Sequence, residues 1–226
     1  MTAALACAYK GASIALIDTV HPRTARPDSR ASAIAATSFQ MLRTLGVMQN
    51  LNDEVEPILD MLISDGGVGY VSPLGLHMDS QNVNGPTAYM IENDVLRLAL
   101  FSAVETHSKI DIFAPTEMIS SQRDSAGVSV SLSDGQRFTS SLLVAADGRN
   151  SVLRKSAGID VSRQSYDQKA LVTTFCHEFP HDGVAHQIFF PGGPLALLPL
   201  TENRMSIVWS DTVSYTHLTL PTIYSV

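Results

Sequence analysis

Apolar residues recur along this chain at two different periods. Near the start, Thr2 to Lys10 is rich in Ala and Leu, Gly11 suits a left-handed helix cap, and Ala12-Ser13-Ile14-Ala15-Leu16-Ile17 runs apolar up to Asp18. This predicts a helix leading into a strand of a parallel sheet, because strands covered on both faces read as continuous apolar runs. Helical spacing through Ile34, Phe39, Met41, Leu42 and Leu45 predicts a helix over 32–45, stopped by Gly46. The same spacing at Val95, Leu96, Leu98, Leu100 and Val104 predicts another over 93–105.

Alternation and turn residues point elsewhere to strands. The stretch 57–85 mixes β-favouring residues with Gly, Pro and Asn, which suggests short antiparallel strands and turns. Asp111 to Phe113 reads as a strand, and Val128 to Leu132 alternates before Ser133-Asp134-Gly135, a hairpin signal. Phe138 to Ala146 is expected as the strand that enters Asp147-Gly148-Arg149, with a helix after it. Beyond about Ser162 the pattern changes to antiparallel strands over 170–179, 185–190 and 205–209, with PGGPLALLPL between the last two. The final segment, VSYTHLTLPTIYSV (213–226), breaks this pattern and resembles translated sequencing-adapter sequence, so it is expected to be non-native.

Composition narrows the function classes. The 226 residues hold one sizeable domain or two small ones, and an apolar share of 45% with 16% charged residues describes an ordinary folded protein. A formal charge of −7 without any basic run argues against nucleic acid, whose phosphates require clustered Lys and Arg. Arg23, Arg26 and Arg30 form the densest basic group, which on a loop is more often solvated surface than a site. Two distant cysteines, Cys7 and Cys176, give no disulfide framework and fit a reducing compartment. No signal-peptide pattern opens the chain and no run of about eighteen apolar residues occurs, so a cytoplasmic location is expected.

Three motifs bear on chemistry. In a dinucleotide-binding βαβ unit an acidic residue at the tip of the second strand holds ribose hydroxyls, and Asp18 stands in that place, behind a helix with no glycine-rich turn before it. By itself such an Asp is more often a turn residue or helix cap. His177-Glu178-Phe179-Pro180-His181 matches the zinc-protease pattern HExxH, which needs an uninterrupted helix; Pro180 and the strand-like residues upstream speak against one, and no metal is expected. Asp147 at a strand tip could accept from a hydroxylated ligand, with Gly148 permitting close backbone approach, or it could cap the following helix together with Asn150 and Ser151.

Taken together, TAALACAYKGASIALID, SRASAIAATSFQMLRTLGV, LLVAADGRNSVLRKSAGI and GGPLALLPLTENRMSIVW resemble, in order and spacing, the FAD-dependent aromatic hydroxylases of the p-hydroxybenzoate hydroxylase fold, specifically the ubiquinone-biosynthesis (2-polyprenyl-6-methoxyphenol) hydroxylase family. The resemblance covers residues 1–212. It implies an α/β fold: an incomplete Rossmann-like FAD-binding domain over 1–56 and 86–161, and an incomplete β-rich antiparallel substrate domain over 57–85 and 162–212. By the same resemblance Asp18 would hold the adenosine ribose of FAD, Arg30 would lie by the flavin and its pyrophosphate, Asn93 would be on the flavin side, and Asp147 and Gly148 would serve FAD and the transient donor, NADPH or NADH. The segment 192–200 would form the substrate-side sheet over the flavin ring.

The implied reaction is O2-dependent hydroxylation of a polyprenylated phenol, in which the cofactor carries the chemistry and the protein supplies position and dryness. No acid/base residue stands out for it. The prenyl tail implies peripheral association with the inner membrane or with a biosynthetic complex. The GxGxxG turn and the later Gly-Asp motif of the family are both missing, so the chain is expected to be an inactive fragment lacking both ends. A same-fold hydroxylase or epoxidase acting on another substrate and a non-catalytic nucleotide-binding module are the alternatives.

Overall fold

The computed structural model describes residues 1–51, 53–67, 69–80 and 85–212; the expectation for 213–226 lies outside them. The chain divides into two compact units, Met1–Arg26 with Leu100–Ser165, and Pro27–Ala99 with the chain from Tyr166 onward. These breaks fall elsewhere than at the expected boundaries: residues 27–56 and 86–99 belong with the β-rich part.

In the first unit, α1 (Thr2–Tyr9) packs on β1 (Ile14–Ile17) through a turn at Gly11, whose φ of 97° few side chains tolerate. The strand β1 pairs in parallel with β7 (Ile110–Phe113), from Ile14 opposite Ile110 to Ile17 opposite Phe113. A meander of β8 (Met118–Asp124), β9 (Gly127–Leu132) and β10 (Arg137–Ser140) follows, with the expected hairpin at Gly135. The strand expected over 138–146 stops at Ser140. A strand exists only where a neighbour completes its ladder, and none of the described strands pairs with 142–146, which leaves Leu142 70% and Val144 53% exposed. The chain then forms the short helix α4 (Val152–Ser156).

The second unit is built on two sheets. In the smaller, β6 (Ala88–Glu92) lies between β2 (Ala31–Ala35) and β3 (Glu56–Ile58), antiparallel to both. The helix expected over 32–45 is corrected here: its first part is β2, and the helix α2 begins only at Ala36 (Ala36–Thr44). The run Ala-Ser-Ala-Ile-Ala suits either state, and five registered pairs with β6, Ala31 opposite Glu92 through Ala35 opposite Ala88, decide for strand. Helix α2 buries Phe39, which stacks on Tyr89 at 3.7 Å.

The larger sheet has six strands in the order β11 (Gln168–Cys176), β14 (Arg204–Thr212), β13 (Gly193–Leu200), β12 (Val184–Phe190), β4 (Asp60–Gly67), β5 (Tyr70–Asp79). Only β12 and β4 run parallel. Side chains alternate between its faces. One face packs Ala185, Leu200, Met61 and Leu198 against Ile58, Met90, Ala31 and Ala88 of the smaller sheet, making the core of the unit. Helix α3 (Asn93–Glu105) follows β6 directly, as the spacing predicts.

Candidate functional site

The junction of β6 with α3, together with the segment that enters β2, gathers four charged side chains. Asp28 is the hub. Its Oδ1 accepts from Arg30 Nε at 2.7 Å and from the Arg30 backbone N–H at 3.1 Å, while its Oδ2 accepts from Arg30 Nη2 at 2.6 Å and from Asn93 Nδ2 at 3.0 Å. The Arg30 guanidinium, and after it the Asn93 amide, hold the Asp28 carboxyl far below the usual carboxylate range; Asp28 in turn raises the Arg30 pKa. Asn93 is fixed from three sides: its backbone N–H donates to Arg30 O at 2.9 Å, and its Oδ1 accepts from Ser32 Oγ at 2.7 Å.

A second carboxylate extends the cluster. Asp94 in the first turn of α3 accepts the Asp28 backbone N–H at 3.0 Å and Arg97 Nη2 at 2.8 Å, and the Arg97 partner lowers its pKa. Arg97 Nη1 is buried and has no hydrogen-bond partner among the described residues. An unmatched guanidinium N–H away from water is unfavourable, and an anionic oxygen would relieve it. Arg30 stands 65% exposed and keeps its other Nη outside the Asp28 pair. The arrangement is an acceptor-stabilised pair of arginines, each with a donor left for an anion.

The structure therefore brings Arg30 and Asn93 together, through Asp28. Asp28, Asp94 and Arg97 were not among the residues expected to bind; the Asp-x-Arg step at 28–30 and the Asp-x-x-Arg step at 94–97, one helical turn apart, are the signals that could have found them.

The remaining expected residues lie in the first unit. Asp18 sits just past β1, where its backbone N–H donates to Phe113 O and its Oδ1 accepts from Val20 N–H at 3.0 Å. It is exposed at the C-terminal end of a parallel strand pair, and half of its carboxylate shapes the local turn. Asp147 accepts from Ser151 Oγ, from Val152 N–H at 2.8 Å and from Leu153 N–H at 3.2 Å, and Ser151 Oγ accepts from Arg154 N–H. Of the two roles left open by the sequence, this geometry displays the capping one, and the bond from Ser151 leads in lowering the Asp147 pKa. Gly148 has φ 82° and open space where a side chain would stand, so close approach of another group is sterically allowed there.

The HExxH stretch forms no helix. The strand β11 ends at Cys176, Asp182 takes φ 51°, and the His181 ring is spent on its own turn: Nδ1 accepts from Gly183 N–H at 3.0 Å, which leaves Nε2 to donate to Leu200 O at 2.9 Å. His177, His181 and His186 line a hollow of about 410 Å³ with Leu62, Phe175 and Met205. It opens on the sheet face away from the Leu200 core, since His186 and Met205 each follow a residue that points the other way. It is apolar and wide open, with none of the paired charges of the Arg30 cluster, which we regard as the better site.

Against known proteins, residues 1–217 match the family model described as FAD binding domain. The chain belongs to this family. It is 42% identical over 213 residues to ubiquinone hydroxylase UbiL of Rhodospirillum rubrum, covering 93% of this chain and 49% of that protein. It is 32% identical over 216 residues to 3-demethoxyubiquinol 3-hydroxylase of Escherichia coli, covering 92% and 54%. The chain thus spans about half the length of the curated relatives it matches. Among solved structures, a four-substitution mutant of Pseudomonas aeruginosa PqsL superposes with TM-score 0.80 at 18% identity over 95% of this chain and 58% of that one. Klebsiella pneumoniae HpxO, complexed with FAD and uric acid, superposes with TM-score 0.70 at 16% identity over 92% and 52%. The mixed α/β architecture with mostly antiparallel sheets is that of the FAD-dependent monooxygenases.

The residues present suit the family's cofactor chemically. FAD offers ribose hydroxyls, which a strand-tip carboxylate such as Asp18 accepts, and a pyrophosphate, which suits the spare N–H groups of Arg30 and the unmatched Nη1 of Arg97.

Proposed function

We propose that this chain contributes the flavin-side and ring-side scaffold of an FAD-dependent monooxygenase that hydroxylates a polyprenylated phenol in ubiquinone biosynthesis, with NADPH or NADH as electron donor and O2 as co-substrate. The observation that carries the reading is the match along almost the whole chain to two ubiquinone hydroxylases. The unsatisfied Arg97 Nη1 beside the Asp28–Arg30–Asn93 cluster supports it, since it supplies donors for an anionic cofactor.

FAD supplies the redox chemistry when bound. Arg30 and Arg97 would hold its pyrophosphate, Asn93 would steady the flavin side, and Asp18 would accept from the ribose. Asp147 and Gly148 would line the approach of the dinucleotides, with Asp147 keeping its helix capped. The sheet residues between Gly193 and Leu200 would lie over the flavin ring and shield it from water.

No helix among the described residues is long and apolar enough to cross a membrane. We propose that the prenyl tail is met by peripheral association with a membrane or a biosynthetic complex.

The test is the quinone pool of a bacterium lacking its own ubiquinone hydroxylases, into which the gene carrying this chain is introduced with its genomic flanks. The under-hydroxylated precursor should fall and ubiquinone should rise by mass spectrometry, and Arg97→Met should abolish the change. A pool that stays unaltered while the protein accumulates in soluble form would overturn the reading.

A further inference from the structure

Arg204 opens β14 after a turn in which Glu202 and Asn203 both adopt positive φ, 62° and 55°. Its guanidinium is divided between that turn and a different sheet. Nε donates to Thr201 O at 3.1 Å, while Nη1 and Nη2 grip Glu92 Oε1 and Oε2 at 3.0 and 3.1 Å. The two side chains are only 21% and 27% exposed. Glu92 is the last residue of β6, and the next residue is Asn93, whose backbone and side chain are committed to Arg30, Ser32 and Asp28.

We propose that Arg204 and Glu92 are positioning residues, which set the Asp28–Arg30–Asn93 cluster in place for the anionic part of the flavin nucleotide. The inference rests on the FAD reading above. A planar fork meeting a carboxylate through two parallel bonds fixes orientation as well as distance, which a lysine in the same place would not do. The end of β6 is thereby tied to the β13–β14 turn of the six-stranded sheet. Any displacement of that turn passes through Glu92 to the backbone of Asn93, and from there to Asp28 and Arg30. Neither Arg204 nor Glu92 belongs to the Arg30 cluster itself.

The test compares Arg204→Met, Glu92→Gln and the double variant with the unaltered protein, each expressed from the gene with its genomic flanks, by residue-resolved amide exchange and by FAD titration followed through flavin fluorescence. Each single variant should speed exchange at Asn93 about tenfold, leave the β11–β14 amides unchanged, and weaken FAD binding several-fold. The double variant should be no worse than the worse single, because both remove one link. Val130→Ala, in the β8–β10 meander and matched in thermal stability, should change neither readout. Unchanged Asn93 exchange, or faster exchange with unchanged FAD affinity, would overturn the positioning role. If Arg204→Met fails to fold, Arg204→Lys keeps charge and stem without the fork and should reproduce the shift in smaller measure; its absence counts against the proposal. A wild-type protein, expressed in the same way, that takes up no FAD while Asn93 exchange still responds in the variants sinks the flavin reading and leaves the mechanical link standing.

Discussion

The Asp28 carboxylate receives three bonds from Arg30 and one from Asn93, and these have a definite response to acid. Its pKa in the folded chain is depressed, chiefly by Arg30, whereas in the unfolded chain it returns to about 3.9. The cluster's contribution to stability is therefore complete above about pH 4 and is lost as the pH falls below it. Asp28→Asn should flatten the pH dependence of the thermal midpoint between about pH 4 and 2.5, and weaken FAD binding several-fold by releasing Arg30. His186 is different in origin, since burial alone lowers its pKa. The unfolded chain takes up that proton first, at about pH 6.5, so stability falls as the pH drops through this value. His186→Phe should flatten the melting-temperature profile between about pH 7 and 5, by differential scanning calorimetry. At this scale the family resemblance singled out Arg30 and Asn93, while Asp28, marked in the sequence only by its Asp-x-Arg step, shows its role as their common acceptor once β2 and the start of α3 lie side by side.

Strands and helices differ in how far neighbours decide them. Helix α3 is specified by its own spacing and appears over 93–105 as the pattern predicts. The five residues of β2 carry no such local instruction; the ladder to β6 converts the front of an apparent helix into strand. Residues 142–146 show the reverse case, an apolar run that pairs with none of the described strands. The turn into β13 is constrained both by its own backbone and by its neighbour: Gly193 has φ 152°, and a side chain there would strike the carbonyl oxygen of Ser210 on β14. Gly193→Ala should therefore cost about 1–3 kcal/mol in denaturant-measured stability and disturb the β13–β14 register. The PGGPLALLPL run is thus both recognisable in sequence and demanding in geometry.

Two units divide the chain where the sequence alone suggested other breaks, because the segments 27–56 and 86–99, expected in the FAD-binding domain, bury apolar residues against the six-stranded sheet. Composition changes near Ser162 were legible, but which sheet would collect Met90 and Ile58 was not, since that depends on strand order. One consequence concerns the connection between β10 and α4. Its backbone amides from Leu143 to Ala146 join no ladder among the described residues, and Leu142 and Val144 present bare aliphatic side chains to solvent. A protease that prefers aliphatic residues should cleave there before anywhere in the six-stranded sheet, separating a piece that ends near Val144 from one that begins with the Asp147 cap. Mass spectrometry of a brief thermolysin digest would read that first scission, and bound dinucleotide would delay it if Asp147 and Gly148 meet the ligand as proposed.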